Sequence, residues 1–507
     1  MQIQVVKNAK RNIMFGFINK AIVMLCPFVQ RTIIQSILGT QYLGLSSLYT
    51  SVLSVLGLAE LGFSSAMVYN MYKPAAEEQI DKVNVLLCFY RKAYRIIGIA
   101  VVVIGSLLIP FLPKLIKGSY PADINLTLLY LIYLGNTAIS YFLFAYMTSI
   151  LVVHQRDDVQ SSVNSVVTVI LTVSQAVILS VTRNYYLFAA MMLLCTAVNN
   201  LWVAWRVNRF FPQYMPEGQI DPVSKAGLKK LVAGTFIQRA CAVTRNSLDS
   251  ICISAFLGLA LTAIYNNYYL ILHGITVLMG VISTAFMGGV GNHVATKTVE
   301  ENFQELLNLD FVYLWLGGWC SICLTCLYQP FMQLWMGKDL MLDFSTVLLL
   351  VAYFYLLKLG DMRTLYASGL GLWWEQRYRS VAETLMNLVL NIVLGKLYGI
   401  KGIIIATIVS LFLCNYIWST RITFQKYFSM ARMKAYYAMH LGLTATMLIA
   451  GGLTYYLCTL LPFGNMIVMC LVRLILCAVV PNIIFFIIYR RSKEMMYAKK
   501  TLFKRLS

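Results

Sequence analysis

The sequence predicts an all-α polytopic membrane protein of about fourteen transmembrane helices, built as two six-helix repeats plus two C-terminal helices. Three observations carry that prediction. Of the 507 residues, 59% are hydrophobic and 12% charged, about half the charge of a soluble chain. Apolar runs of about 20 residues recur from end to end, the length that crosses a bilayer core of about 30 Å. Part of the first half reappears in the second, in the same order and at an offset of 219 to 221. Together these exclude a soluble enzyme, a DNA-binding protein and a secreted disulfide scaffold.

In order, the spans fall near 13–37, 44–70, 93–112, 125–152, 160–181, 186–205, 231–256, 262–287, 311–335, 345–372, 380–398, 402–420, 437–459 and 466–489. The first follows Lys7, Lys10 and Arg11 and is as long as a full crossing, so it does not read as a cleavable signal. The longer connections, 71–92, 206–230, 288–310 and 421–436, each follow an even-numbered span and share one side. With Arg95 and Lys396 at span edges counted with the adjoining loops, that side holds 28 of the 41 Lys and Arg, the external side six, and seven lie deeper within spans. By the positive-inside rule that side is cytoplasmic, both termini included, in a cytoplasmic (inner) membrane. The net charge of +21 therefore reflects topology, and no nucleic-acid partner is expected. The tail from Arg490 to Arg505 sets seven bases against Glu494, either to lie on anionic membrane lipid or to fix orientation.

The repeat groups the spans. Phe17-Ile18-Asn19-Lys20-Ala21 matches Phe236-Ile237-Gln238-Arg239-Ala240 at an offset of 219, and Ile37-Leu38-Gly39 matches Phe256-Leu257-Gly258 at the same offset. Pro110-Phe111 and Gly118 match Pro330-Phe331 and Gly337, and Tyr146 with Gln155-Arg156 matches Tyr366 with Gln376-Arg377. Residues 1–210 and 225–425 are thus two copies of a six-helix bundle, followed by two extra helices in 436–490 and a basic tail, 491–507. An even number of spans gives both copies one orientation, with a pseudo-two-fold axis along the membrane normal and a cleft expected between them.

Lys7-Asn8-Ala9-Lys10-Arg11-Asn12, Leu43-Gly44-Leu45 and Leu58-Ala59-Glu60-Leu61-Gly62-Phe63 resemble bacterial polysaccharide flippases of the Wzx type. These belong to the multidrug/oligosaccharidyl-lipid/polysaccharide exporter superfamily. The resemblance implies movement of a polyprenyl-pyrophosphate-linked oligosaccharide from the cytoplasmic to the external leaflet. It implies no cofactor, and a polysaccharide polymerase and glycosyltransferases as partners. A peptidoglycan-precursor flippase shares the pyrophosphate and the span count. A membrane polymerase or ligase needs chemistry on an external loop, and the longest, 113–124, offers Lys114, Lys117 and Asp123.

Charges inside spans point to a site, because each costs about 2.5–3.5 kcal/mol at the bilayer centre unless paired or hydrated. They are Lys20, Arg31, Glu60, Arg239, Arg245, Asp249, Lys358, Asp361, Arg363, Glu383 and Arg473, a cationic excess that suits an anionic headgroup better than a cationic drug. Lys20 and Arg31 stand on one helical face about 16 Å apart. Lys20 corresponds through the repeat to Arg239, so the two can converge on a pyrophosphate with Arg31. The alternative is that both snorkel to the interface. Arg245–Asp249 and Lys358–Asp361 have ion-pair spacing, which leaves Arg363 as a spare cation. Glu60 is expected to pair with Arg31, or else to carry a coupling proton.

Other residues read as structural. Cys320, Cys323 and Cys326 form one helical stripe without His or acidic partners, so no metal site is expected there. His154, His273, His293 and His440 sit singly in the sequence. Tyr265, Tyr268 and Tyr269 suggest an interfacial belt, and Asn125-Leu126-Thr127 is a chance-prone sequon.

Overall fold

Four glycines carry the repeat into the backbone. Gly39 and Gly258 have φ of 97° and 98°, and Gly118 and Gly337 have φ of 85° and 89°. Only glycine enters this region without strain. The capping bonds repeat as well: Gly39 N donates to the Ile34 carbonyl and Gly258 N to the Ile253 carbonyl, both at 3.1 Å.

The structure is a computed structural model that describes residues 5–60, 63–220, 222–460 and 465–503, and all regular structure in them is helical. The chain divides into two units, Met1–Ala263 and Ile264–Ser507. The first holds α1 (Val5–Ile37), α2 (Thr40–Leu56), α3 (Phe63–Ala76), α4 (Ile80–Leu107), α5 (Leu126–Phe142), α6 (Thr148–Val153), α7 (Asp157–Thr182), α8 (Tyr185–Phe210) and α9 (Pro222–Leu257). Helix α10 (Leu259–Thr296) leads into the second unit. There follow α11 (Val299–Met336), α12 (Phe344–Leu359), α13 (Asp361–Gly369), α14 (Arg377–Ser410), α15 (Ser419–Thr423), α16 (Met433–Thr459), α17 (Met466–Tyr489) and α18 (Lys493–Phe503).

Nine helical stretches among the described residues are long and apolar enough to cross a membrane, and up to eleven if each bent pair counts as one. The pairs are α4 with a short 3₁₀ turn, bent by 58°, and α5 with its continuation through α6, bent by 49°. Twelve of the fourteen expected spans fall on these stretches, and the second and seventh do not. The eleventh and twelfth form one stretch, Arg377–Phe428, interrupted by Gly399 at φ 61°. The second is split between α2 and α3, and the seventh corresponds to α9. Leucines and isoleucines such as Leu471, Leu474, Ile475, Ile483 and Ile487 are exposed along α17, an apolar surface of the kind that lipid covers.

The helices are longer than their apolar windows. Residues 71–92 and 288–310, expected as loops, are mostly helix: α3 reaches Ala76, α4 starts at Ile80, α10 reaches Thr296 and α11 starts at Val299. A polar helix end in water is as stable as its caps. Here Thr298 and Glu301 form a reciprocal capping box, with Lys297 3.2 Å from Glu301. Hydropathy reports where hydrocarbon lies, and backbone hydrogen bonds continue past it.

Candidate functional site

In the first unit, α1 turns one polar stripe toward α7. Asn12 donates to the Gln155 carbonyl at 3.0 Å, Asn19 accepts from Asn164 at 2.9 Å, and Gln30 donates to Gln175 at 3.0 Å. Lys20 and Arg31 each follow a member of that stripe, so they share the adjacent flank, as their spacing predicts. Lys20 is exposed. Arg31 is half-buried, with its guanidinium 3.3 Å from Ser47 Oγ and 3.2 Å from the Ala263 carbonyl oxygen. Beside it, Tyr133 donates to Ser46 and lies 3.0 Å from the Tyr185 hydroxyl. Arg239 belongs to α9, but its side chain is outside the described residues. Arg245 and Asp249 are both buried one turn apart on α9.

Glu60 does not meet Arg31. Its carboxylate accepts from the Tyr94 hydroxyl at 2.5 Å. The reason is distance along the helix: Arg31 docks at Ser47, and the thirteen residues from there to Glu60 rise about 20 Å. Tyr94 in turn stacks on Tyr90 with ring centroids 4.6 Å apart, so Glu60 sits against an aromatic column.

In the second unit the ion-pair spacing holds. Lys358 Nζ lies 2.7 Å from Asp361 Oδ2, which also accepts from the Tyr313 hydroxyl at 2.6 Å. Glu383 is paired with Arg379 at 2.6 Å. Arg363 is no spare cation. It is fully buried and donates to the carbonyl oxygens of Asn415 (2.6 Å), Tyr416 (3.3 Å) and Gly360 (3.4 Å), and to Thr420 Oγ1 (3.0 Å). Asn415 and Tyr416 belong to a π-helical turn, Leu411–Trp418, whose i→i+5 pattern displaces carbonyls from regular register. Arg363 satisfies them and so clasps α13 to that turn.

His440 is not solitary. Its Nε2 lies 3.3 Å from Asp310 Oδ2 and its Nδ1 3.1 Å from the Tyr416 hydroxyl, all buried. Sequence reading missed this pair because Asp310 fell in an expected loop. Counting Asp310 as an interior acid and Arg379 as an interior base leaves the cationic excess unchanged. Tyr265 and Tyr268 are buried rather than forming a belt, and Tyr268 donates to Gln329 at 2.7 Å. Asn125 serves as the N-cap of α5, accepting from Leu128 N. A cavity of about 410 Å³ in the second unit is lined by Phe286, Val290, His293, Glu305, Leu309 and Tyr497, none of them a predicted site residue.

No protein-family profile matches the chain, and no curated protein matches it in sequence. Solved structures do match. The lipid II flippase MurJ in an inward closed conformation aligns with TM-score 0.67 and 15% identity over 94% of this chain and 99% of that one. An inward-facing multidrug-resistance MATE family transporter of the MOP superfamily aligns with TM-score 0.60 and 15% identity over 80% and 95%. A MOP superfamily transporter from Pyrococcus furiosus, described by a reversed polarity of its binding pocket, gives 0.55 and 14% over 83% and 96%. The chain has the MOP transporter fold. It is a multi-pass membrane protein, and the superfamily expected from the N-terminal motifs is the one whose fold it shares. The fourth span bends by 49° at the break after Phe142, whereas Phe344–Gly369 counts as one span, with Lys358, Asp361 and Arg363 around the junction of α12 and α13.

Proposed function

We propose that the protein is a flippase that moves a polyprenyl-pyrophosphate-linked oligosaccharide repeat unit across the cytoplasmic membrane by alternating access, for synthesis of capsule, O-antigen or exopolysaccharide. The observation that carries this reading is the extent of the fold match. A lipid flippase accounts for 94% of the chain, whereas the MATE transporter accounts for 80%. The interior charge adds to it. Lys20 and Arg31 line one flank of α1, and cations there favour a pyrophosphate over a lipophilic cation. Arg239 joins them through the repeat.

The pyrophosphate diester carries about two negative charges, so leaving an electrically negative cytoplasm through 100 mV gains about 5 kcal/mol. A dedicated coupling ion is then unnecessary on energetic grounds. A second reading, transport of the peptidoglycan precursor, is favoured by the name of the matched lipid II flippase and uses the same headgroup chemistry. Reconstituted vesicles loaded with either lipid-linked substrate discriminate between the two. Lys20→Ala, Arg31→Ala and Arg239→Ala are each expected to abolish flipping in folded protein. Full transport of both lipids by the Lys20→Ala, Arg239→Ala double variant would overturn the cationic site.

A further inference from the structure

Three cysteines far apart in sequence meet in the second unit. Cys326 comes from α11, Cys458 from the last turn of α16 and Cys477 from the middle of α17, and all three are fully buried. Their sulfur atoms lie within 4.8 Å of one another. Three thiolates around one ion at a metal–sulfur length of about 2.3 Å stand about 3.8–4.0 Å apart, so small side-chain adjustments close the shell. Cys323, one turn before Cys326, lies within hydrogen-bonding reach of Cys477 and flanks the cluster.

The surroundings are built around these groups. Arg473, one turn before Cys477 on α17, donates Nη1 to the Cys326 carbonyl at 3.1 Å and lies close enough to act electrostatically on Cys458 and Cys477. Its Nε is buried with no hydrogen-bond partner among the described residues. Trp319 donates to the Cys477 carbonyl at 2.8 Å and fixes that backbone. The stripe Cys320, Cys323 and Cys326 carried no metal signal in the sequence because the partners of Cys326 lie on other helices.

We propose that Cys326, Cys458 and Cys477 form a trithiolate site for a thiophilic divalent cation of the zinc or cadmium class. The charge balance selects the ion. Three thiols each lose a proton, the dication leaves a complex of charge −1, and the Arg473 guanidinium brings the buried assembly to neutrality. A monovalent soft cation would leave a net negative charge in hydrocarbon, and hard cations prefer oxygen. A closed-shell dication imposes no geometry of its own and accepts a three-coordinate sulfur shell. The site ties the α16–α17 hairpin, which lies outside the double repeat, to α11. It is independent of which lipid is transported.

The test uses the full chain, purified in detergent, reduced and stripped of metal with a chelator, then titrated with Cd²⁺. Expected are one Cd²⁺ per chain, a thiolate-to-cadmium charge-transfer band in the ultraviolet, proton release from each bound thiol and a raised Tm. Cys326→Ser, Cys458→Ser and Cys477→Ser should each weaken binding at least tenfold, while Cys88→Ser and Cys195→Ser, two buried thiols of the first unit, should leave it unchanged. Where a serine variant fails to fold, Arg473→Gln retains every thiol and should weaken Cd²⁺ binding about tenfold. Binding indifferent to the cluster substitutions and to Arg473→Gln would overturn the site. So would failure of the reduced wild-type chain to take up Cd²⁺.

Discussion

Lys358 and Asp361 offer the sharpest separation between a structural and a transporting role. Their nitrogen–oxygen distance of 2.7 Å gives a gross attraction of about 6 kcal/mol at an effective dielectric of 20. Desolvation offsets much of it. Lys358 is 3% exposed and Asp361 27%, so the lysine bears most of that cost and water reaches the carboxylate. Lys358→Met should destabilise the protein by about 3 kcal/mol, because it strands a half-buried carboxylate. Asp361→Leu should cost a similar amount, since it strands a buried ammonium and removes the acceptor of the Tyr313 hydroxyl. The double variant removes both charges and should cost less than either single change. For a unit of about 250 residues, a 3 kcal/mol loss lowers Tm by about 6–12 °C, readable by fluorescence-detected size exclusion after heating. Single-variant costs that simply add in the double variant would refute the pairing argument. A double variant that folds normally and transports nothing would instead give Asp361 a coupling role.

Further outcomes test other links. Gly39→Ala and Gly258→Ala should each cost about 1–3 kcal/mol from backbone strain. Gly258→Ala should cost more, because its new methyl would stand 2.9 Å from the Lys117 carbonyl oxygen, whereas nothing lies within 4 Å at Gly39; thermal melts compare the two. Gly402→Ala places a methyl 1.9 Å from the Leu394 carbonyl oxygen and should prevent accumulation of folded protein, measured by expression and monodispersity. Glu60→Gln should slow transport yet retain its dependence on membrane potential; vesicles with a set potassium diffusion potential decide it, and transport driven by a pH or sodium gradient alone would contradict it. His154, in the turn between α6 and α7, has its pKa lowered by burial, a shift partly opposed by its bond to the Ile150 carbonyl. Its neutral form therefore stabilises the fold fully above the ordinary histidine value of about 6.5, and that contribution is lost as pH falls below it. Melts at descending pH should show the loss, and His154→Gln should flatten the profile.

The fold was legible because bilayer thickness writes itself into composition. Twenty-residue apolar runs had to be helices, since only helices close their own hydrogen bonds in lipid. The repeat was legible because four of its landmarks are glycines, and a left-handed turn at Gly39 or Gly258 tolerates little else. Helix ends were not legible. Val299 starts α11 inside a stretch of acids and amides that hydropathy assigns to water, and the capping box at Thr298 settles the matter locally.

Charge pairs were legible where partners are close in sequence and hidden where they are not. Lys358–Asp361 is a spacing of three, and helical geometry alone brings such residues together. Arg363, two residues later, looked unmatched because its acceptors are carbonyls of a π-helical turn some fifty residues away, and a carbonyl leaves no mark in composition. Asp310 with His440, and Cys326 with Cys458 and Cys477, are joined by the packing of the C-terminal hairpin on α11. That hairpin lies outside the repeat, so no internal copy could hint at its contacts. The consequence is specific to this architecture. The repeat relates Lys20 to Arg239 in the sequence, while the appended hairpin supplies partners of α11 that only the folded chain reveals. The buried thiols and the buried His–Asp pair both sit where that hairpin packs on α11.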